Sequence, residues 1–96
     1  MSVEKKNKKV DLEALNSAFM KIPKVNTATA RDLLDLGFTE SYQLIGRSPE
    51  VLYEEITRIK LDVPKDRLGY FRYIVAYVEV PEEERKAVNF YAFTQL

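Results

Sequence analysis

The side chains best suited to binding a ligand surround one predicted turn, residues 23–26. Three cations, two hydroxyls and one carboxamide lie in or beside this turn: Lys21, Lys24, Arg31, Thr27, Thr29 and Asn26. Asn26 is also a favourable residue to cap a helix that begins at Thr27. Cations and the amides at a helix N-terminus are groups that bind phosphate. The segment therefore predicts a phosphate site, for which the DNA backbone is the predicted partner.

The apolar residues of the same segment also have a purely structural interpretation. Val25, counted here with the predicted site, is expected to plug the space between the two helices that the turn connects. Ala30 is small enough to let those helices approach each other. In the structural interpretation these residues pack a helical turn and the cations are solvated. Asp32 and Asp35 would also repel a phosphate, and the sequence leaves both interpretations open.

Enzyme chemistry finds little support in the composition. The 96-residue chain contains no Cys and no His, which excludes disulfides, thiol chemistry, ordinary zinc sites and imidazole catalysis. Ser17, Ser41 and Ser48 have no His base, and the chain has no glycine-rich phosphate loop. We therefore predict a protein that is not an enzyme, with no catalytic residue, no metal site and no cofactor.

The charge balance keeps a second function open. Net charge is zero, from 15 basic and 15 acidic residues, whereas domains that bind nucleic acid strongly are usually basic. Phe90, Tyr91 and Phe93 crowd near the end of the sequence and, if exposed, would form an apolar patch for a partner. The alternative prediction is thus a protein–protein interaction module without DNA contact, which uses this aromatic C-terminal surface.

Apolar residues recur at helical spacing, which predicts an all-α fold: a compact, SAM-like bundle of five to six short helices. The predicted helices cover residues 12–22, 27–36, 40–45 and 49–60, then 67–80 and a last segment from 81 onward. Gly37 and Gly46 are expected to stop helices, and Ser48 with Pro49 to start one. Residues expected to face the core include Leu12, Leu15, Phe19, Val51, Leu52, Ile56 and Ile59.

The chain is expected to form one helical domain, residues 11–96, after a lysine-rich arm, residues 1–10. The arm has little to bury and is expected to be disordered, or alternatively to touch phosphates. No run of 18 or more apolar residues is present, so no membrane span is predicted. The lack of Cys fits a reducing compartment, and the cytoplasm is the predicted location.

Several stretches resemble a known bacterial family. Ile22-Pro23, followed by Thr29-Ala30-Arg31-Asp32-Leu33, is similar to the helix-hairpin-helix motif, in which an apolar residue and Pro precede a Gly-apolar-Gly hairpin. Gly46-Arg47-Ser48-Pro49-Glu50 and Phe71-Arg72 resemble further runs in small bacterial proteins called pathogenicity-locus or mitomycin-resistance proteins.

This resemblance extends from about residue 15 to residue 79 and implies a helix-hairpin-helix domain that contacts DNA backbone weakly and without sequence preference. Lys24 and Asn26 stand where the motif has glycines. Because glycine permits positive φ and lets a phosphate approach the backbone closely, their replacement adds weight to the alternative of a protein partner, while weak DNA binding stays the first prediction.

Overall fold

The protein is described by a computed structural model that covers residues 10–94. In chain order, the α-helices of this range are α1 Leu12–Leu15, α2 Thr27–Asp35, α3 Pro49–Ile59, α4 Arg67–Glu79 and α5 Phe90–Thr94. Three 3₁₀ helices, Ala18–Lys21, Ser41–Leu44 and Glu82–Ala87, lie between them. No strand forms among these residues, and the prediction of an all-α fold is confirmed.

Local signals set the boundaries of α2 and α3. The Ser48 hydroxyl accepts a hydrogen bond from the Val51 amide at 3.3 Å, and Pro49 occupies the first turn of α3. Gly37 and Gly46 adopt φ angles of +99° and +81°, a region that glycine enters without steric penalty. The predicted stops and starts at these positions are confirmed.

Helix α4 is the central element of the core. It packs against α3 on one side and α5 on another, while α1 packs on α2. Phe71 and Ile74 of α4 are fully buried. They meet fully buried side chains from the rest of the fold, among them Phe19, Leu33, Leu44 and Ile56. Helix α4 thereby packs against elements from both halves of the described chain.

The prediction of one continuous helix over residues 12–22 is wrong. The Ser17 hydroxyl donates to the Ala14 carbonyl at 2.7 Å, and α1 ends there before the chain restarts as a 3₁₀ helix. A serine that bonds nearby backbone competes with helix continuation in this way. Because the break reorients the chain, Ala14 and Phe19 are fully buried, whereas Leu12 and Leu15 are exposed.

The predicted inner face of α3 is also too wide. Leu52 and Ile56, one helical turn apart, are buried, but Val51 and Ile59 are exposed. Helix α3 packs on α4 along one seam. Val51 lies about 100° around the helix from Leu52, off that seam, and Ile59 is the last residue of the helix. The expectation that all four side chains face the core is therefore wrong for Val51 and Ile59.

Two further expectations concern the surroundings of the domain. The predicted basic arm lies outside the described residues, except for Val10, which is exposed. Every helix between residues 10 and 94 is too short or too polar to cross a membrane.

A charge cluster joins the ends of four helices: Asp11, Arg31, Asp32, Asp35, Lys60 and Arg67. Its centre is a buried pair. Arg67 Nε lies 2.7 Å from Asp32 Oδ2, and the exposed fractions of the two residues are 4% and 5%. Lys60 Nζ lies 2.6 Å from Asp32 Oδ1. The cluster thus ties α2 to the end of α3 and the start of α4.

The outer part of the cluster makes the fold sensitive to acid. Hydrogen bonds from Arg31 and from the Ala14 amide lower the pKa of Asp11 from 3.8 to about 2. A folded-state pKa below the unfolded value gives stabilisation that is complete above the unfolded pKa and is lost as pH falls through the folded pKa. The contribution of Asp11 is therefore present above about pH 4 and disappears towards about pH 2.

We expect the Tm to fall over this window in the parent protein and the Asp11→Asn variant to lose part of that dependence. Thermal melts followed by circular dichroism at a series of pH values test this. Glu55→Gln, which removes an exposed carboxylate that has no ion pair within residues 10–94, is the matched control. Parallel Tm curves for Asp11→Asn and the parent would contradict the assigned role of Asp11.

Candidate nucleic-acid interface

The turn between the first 3₁₀ helix and α2, residues 22–26, is called the hairpin below. The Ile22 carbonyl accepts a hydrogen bond from the Val25 amide at 3.3 Å, and both side chains are buried in the core. The Tyr73 hydroxyl of α4 donates to the Pro23 carbonyl at 2.8 Å. Burial raises the pKa of Tyr73, so its hydroxyl stays protonated as a donor at neutral pH. The hairpin is therefore anchored to the central helix.

Lys24 occupies the tip of the hairpin in a left-handed conformation, with φ +73°. Left-handed backbone costs most residues roughly 1–2 kcal/mol and costs glycine almost nothing. The backbone thus takes a shape for which glycine is the usual residue, although the residue here is a lysine. The Lys24 side chain is exposed. Compared with a glycine, it hinders a phosphate from approaching the backbone closely but adds a positive charge.

Asn26 needs no special backbone conformation. Its φ of −93° and ψ of 163° are extended, a conformation open to any residue. Its Oδ1 accepts a hydrogen bond from the Thr29 amide at 2.8 Å, which caps α2. Its Nδ2 donates to the Tyr70 hydroxyl at 3.2 Å. The second glycine of the motif is thus replaced by a residue that caps the helix and links it to α4.

Two of the predicted site residues are engaged inside the fold. Thr29 is fully buried, and its hydroxyl accepts a hydrogen bond from Arg67 at 2.6 Å. The guanidinium of Arg31 bonds to Asp11, Glu13 and Asp35 at distances of 2.8–3.1 Å. Neither side chain is presented to a ligand at the hairpin.

The other polar members of the predicted set remain at the surface. Lys21, Lys24 and Asn26 are exposed and Thr27 is half-buried. These four residues are called the hairpin surface below. Val25 contributes to the same segment from the inside, as part of the core.

The eleven cations of residues 10–94 divide into two groups. Five are held in ion pairs: Arg31, Arg58, Lys60, Arg67 and Arg72. The other six have no ion pair with a described carboxylate: Lys21, Lys24, Arg47, Lys65, Arg85 and Lys86. Four of these six, all except Arg47 and Lys65, line clefts beside the hairpin. Most of the unpaired positive charge of residues 10–94 therefore lies on this side of the molecule.

A cleft of about 420 Å³ lies between the hairpin and the C-terminal segment. Its lining includes Lys24, Arg85, Lys86, Tyr73, Tyr77 and Tyr91, and no carboxylate of residues 10–94. We call it the basic cleft. A neighbouring cleft of about 410 Å³ shares Tyr77 and Arg85 with it but also contains Glu40 and Glu82. The basic cleft is thus the one whose lining charge is uniformly positive.

Cations and aromatic rings alternate along the basic cleft. Lys24 Nζ lies 5.3 Å from the centre of the Tyr91 ring, and the Arg85 guanidinium lies 5.3 Å from the centre of the Tyr77 ring. Both distances suit cation–π attraction. Arg85 Nε is buried and has no hydrogen-bond partner among the described residues. This buried donor is an unusual feature, because nearly all buried polar groups in proteins are hydrogen-bonded.

The C-terminal aromatic residues are divided between core and surface. Phe90 and Phe93 are half-buried and pack against the core. The Phe90 ring meets the Tyr73 ring edge-on, with centroids 5.1 Å apart. Tyr91 is 53% exposed. Only one of the three side chains predicted to form a partner surface is therefore largely open to solvent.

Sequence reasoning missed Arg85 and Lys86 as candidates. They follow an acidic run and lie about sixty positions after the hairpin, so no local spacing connects them with Lys24. The available signal was the two cations just before Phe90 and Tyr91, because interleaved cations and aromatic residues are typical of nucleic-acid surfaces. Among residues 10–94, no group of three or more His, Cys, Asp or Glu is placed to hold a metal ion.

Comparison with known proteins identifies a family. No curated protein and no solved structure matches the chain. The family model described as Pathogenicity locus (Cdd1) matches residues 13–95, which includes the hairpin, the basic cleft and every residue of the charge cluster except Asp11. The chain therefore belongs to the pathogenicity locus family.

Proposed function

We propose that this protein is a non-enzymatic nucleic-acid-binding module, which contacts the phosphate backbone of DNA weakly and without sequence preference through the hairpin surface. In this proposal, residues 18–35 act as a variant helix-hairpin-helix element, as in mitomycin-resistance-type proteins. The proposal depends chiefly on one observation, the left-handed Lys24 at the tip of the hairpin. The backbone keeps a glycine-like turn, and the exposed ammonium group supplies the charge that attracts phosphate.

The surrounding charges support this role. Lys21 and Lys24 have no ion pair with a carboxylate of residues 10–94, whereas Asp32 and Asp35 are neutralised by Arg67, Lys60 and Arg31. The repulsion that these two carboxylates would exert on a phosphate is thereby reduced. With about two to four phosphates contacted, affinity should fall roughly 10- to 150-fold between 50 and 200 mM salt.

An amide chemical-shift titration of the full chain with a short DNA duplex tests the proposal. At low salt, we expect shifts at Lys21, Lys24 and Thr27 that disappear as salt is raised. Lys24→Glu should weaken binding and lower the salt slope by about one unit. Lys65→Gln, which removes an exposed cation that lines neither cleft, is the matched control.

Lys24→Gly separates charge from backbone shape. We expect this variant to bind duplex DNA more weakly, because a cation is lost. Its free energy of unfolding should also be higher than that of the parent protein by about 0.5–1 kcal/mol, because glycine tolerates positive φ. Urea unfolding measures this difference. Parent-like DNA binding by both Lys24 variants would exclude the hairpin as the site.

A protein-binding role is the second candidate, and exposed Tyr91 is the observation in its favour. It has less support, because Phe90 and Phe93 pack against the core. If no amide shifts with DNA even at low salt, the hairpin is a structural element and this second role becomes the better proposal.

A further inference from the structure

We infer that the basic cleft binds an unpaired nucleotide, so that the protein prefers single-stranded nucleic acid to duplex. The inference deepens the proposed function and rests on it, because the same hairpin cation, Lys24, borders the cleft. It assigns the base to the aromatic lining and the phosphate to Lys24, Arg85 and Lys86.

The shape and charge of the cleft suit a small anion with a flat face. A volume of about 420 Å³ falls within the range of roughly 300–1,000 Å³ that is usual for small-ligand sites. Among the described residues, its lining contains three cations and no carboxylate, although the whole chain has net charge zero. A concave site with this one-sided charge would attract a phosphate.

The aromatic lining distinguishes a nucleotide from a simple anion. Tyr91 is 53% exposed, and it lines the cleft together with Tyr73 and Tyr77 of α4. A base stacked on such a ring adds to the affinity, and every base has a face that can stack. An acidic peptide would satisfy the cations but would leave the rings without a flat partner.

The unpartnered Arg85 Nε supplies an independent indication of a ligand. This nitrogen is buried and bonds to no described residue, and an unsatisfied buried donor is destabilising. The guanidinium also lies over the Tyr77 ring at the edge of the cleft. A small rotation of the side chain would turn Nε into the cleft, where a phosphate or base oxygen would accept its hydrogen bond.

Only an unpaired base can use these features. In a duplex, each base is covered on both faces by its neighbours, so its ring cannot reach an aromatic side chain in a cleft. Duplex DNA would therefore meet the hairpin surface through its phosphates, whereas a single strand would gain stacking in the basic cleft as well.

The test compares a twenty-nucleotide oligothymidine with a GC-rich ten-base-pair duplex, whose two strands together carry nearly the same number of phosphates. Both are titrated into the full chain at one moderate salt concentration. We expect oligothymidine to bind at least fivefold more tightly and to shift the amides of residues 85–91, which the duplex leaves unchanged. Equal affinities, with no selective shifts at residues 85–91, would overturn the inference. This mapping uses the unmodified protein and does not depend on how a variant folds.

Variants then identify the stacking group. Tyr91→Leu should weaken oligothymidine binding about 5- to 150-fold, the equivalent of one lost base stack, and leave duplex binding unchanged. Tyr42→Leu, which changes a more exposed tyrosine that lines only the neighbouring cleft, should match the parent protein. Parent-like binding of oligothymidine by Tyr91→Leu would also overturn the inference.

The outcomes separate this inference from the proposed function. Duplex binding at the hairpin without a gain for the single strand would remove only the nucleotide site. Binding of neither probe would remove both. A polyglutamate peptide that binds as tightly as oligothymidine would show that the cleft recognises charge alone, which also contradicts a nucleotide site.

Discussion

Replacement of Asp32 by Ala is expected to destabilise the protein by about 3–5 kcal/mol, the usual cost of removing one partner from a buried ion pair. Arg67 would remain buried at 4% exposure with its Nε unpaired, since that nitrogen donates to Asp32 in the parent protein. Lys60 would lose one of its two carboxylate partners. The loss is a large share of the roughly 5–15 kcal/mol that stabilises a typical domain.

Urea unfolding followed by circular dichroism measures this effect, and a Tm shift of about 4–8 °C per kcal/mol should accompany it. Glu54→Ala is the matched control. It breaks an exposed pair to Arg58 whose atoms are 3.5 Å apart, a type of pair that contributes less than about 1 kcal/mol. If Asp32→Ala and Glu54→Ala have equal free energies of unfolding, the buried pair does not have the stated role.

A double replacement shows whether the penalty comes from the isolated charge. Asp32→Leu combined with Arg67→Met removes both charges and keeps apolar volume in the site. Replacing a whole buried ion pair in this way is often neutral or stabilising. We expect the double variant to be considerably more stable than Asp32→Ala, and a double variant that is less stable would contradict this explanation.

The second large effect is expected at Gly69, where α5 approaches α4 through a position without a side chain. A Cβ at residue 69 would stand 2.5 Å from the Phe93 carbonyl oxygen and 3.1 Å from the Thr94 Cα. Both are backbone atoms, so no side-chain rotation relieves the clash. We expect Gly69→Ala to displace α5 and to destabilise the protein by about 1–3 kcal/mol, as is usual for overpacking.

The Gly69 variant has an expected local signature. Amide hydrogen exchange should accelerate in residues 90–94 and stay near parent rates in α3, which does not touch the C-terminal segment in the major contacts of the fold. The displaced segment carries Tyr91, so oligothymidine binding should also weaken. If amide exchange in residues 90–94 is the same in Gly69→Ala and in the parent protein, then Gly69 does not lie against the backbone of Phe93 and Thr94.

Ala76→Gly provides the calibration for that experiment. Alanine is favoured over glycine within a helix by about 0.5–1 kcal/mol, and Ala76 lies in α4 at a half-buried position. The free energy of unfolding that Ala76→Gly loses measures the gain in helix propensity that Gly69→Ala receives in the same helix. The cost of displacing α5 is then the measured destabilisation at residue 69 plus that gain.

Helix starts and stops were predictable because they depend on neighbours in the chain. Ser48 and Pro49 begin α3 through bonds and backbone angles within four residues, and Gly37 ends α2 through its own positive φ. The break after Leu15 was missed for a related reason. Ser17 has a local hydrogen bond that competes with the helix, but apolar periodicity alone does not register such a bond.

The candidate site was only partly predictable. The exposed cations Lys21 and Lys24 could be located from the turn residues around them, and the sequence indicates the turn itself. The left-handed conformation of Lys24 could not be read in the same way, because lysine has no preference for it. The anchoring of the hairpin by Tyr73, fifty positions away, makes this conformation part of the tertiary structure.

The sequence by itself determined the all-α class, most helix boundaries and the position of the hairpin, because each follows from interactions within a few residues. Tertiary structure alone decided which polar side chains remain available. In the folded protein, Arg31 forms an ion pair with Asp11 and Thr29 accepts a hydrogen bond from Arg67. Arg85 lies next to the hairpin, in the lining of the same cleft. The physical reason is that charge pairing and burial depend on distances between chain segments, which the order of residues does not specify.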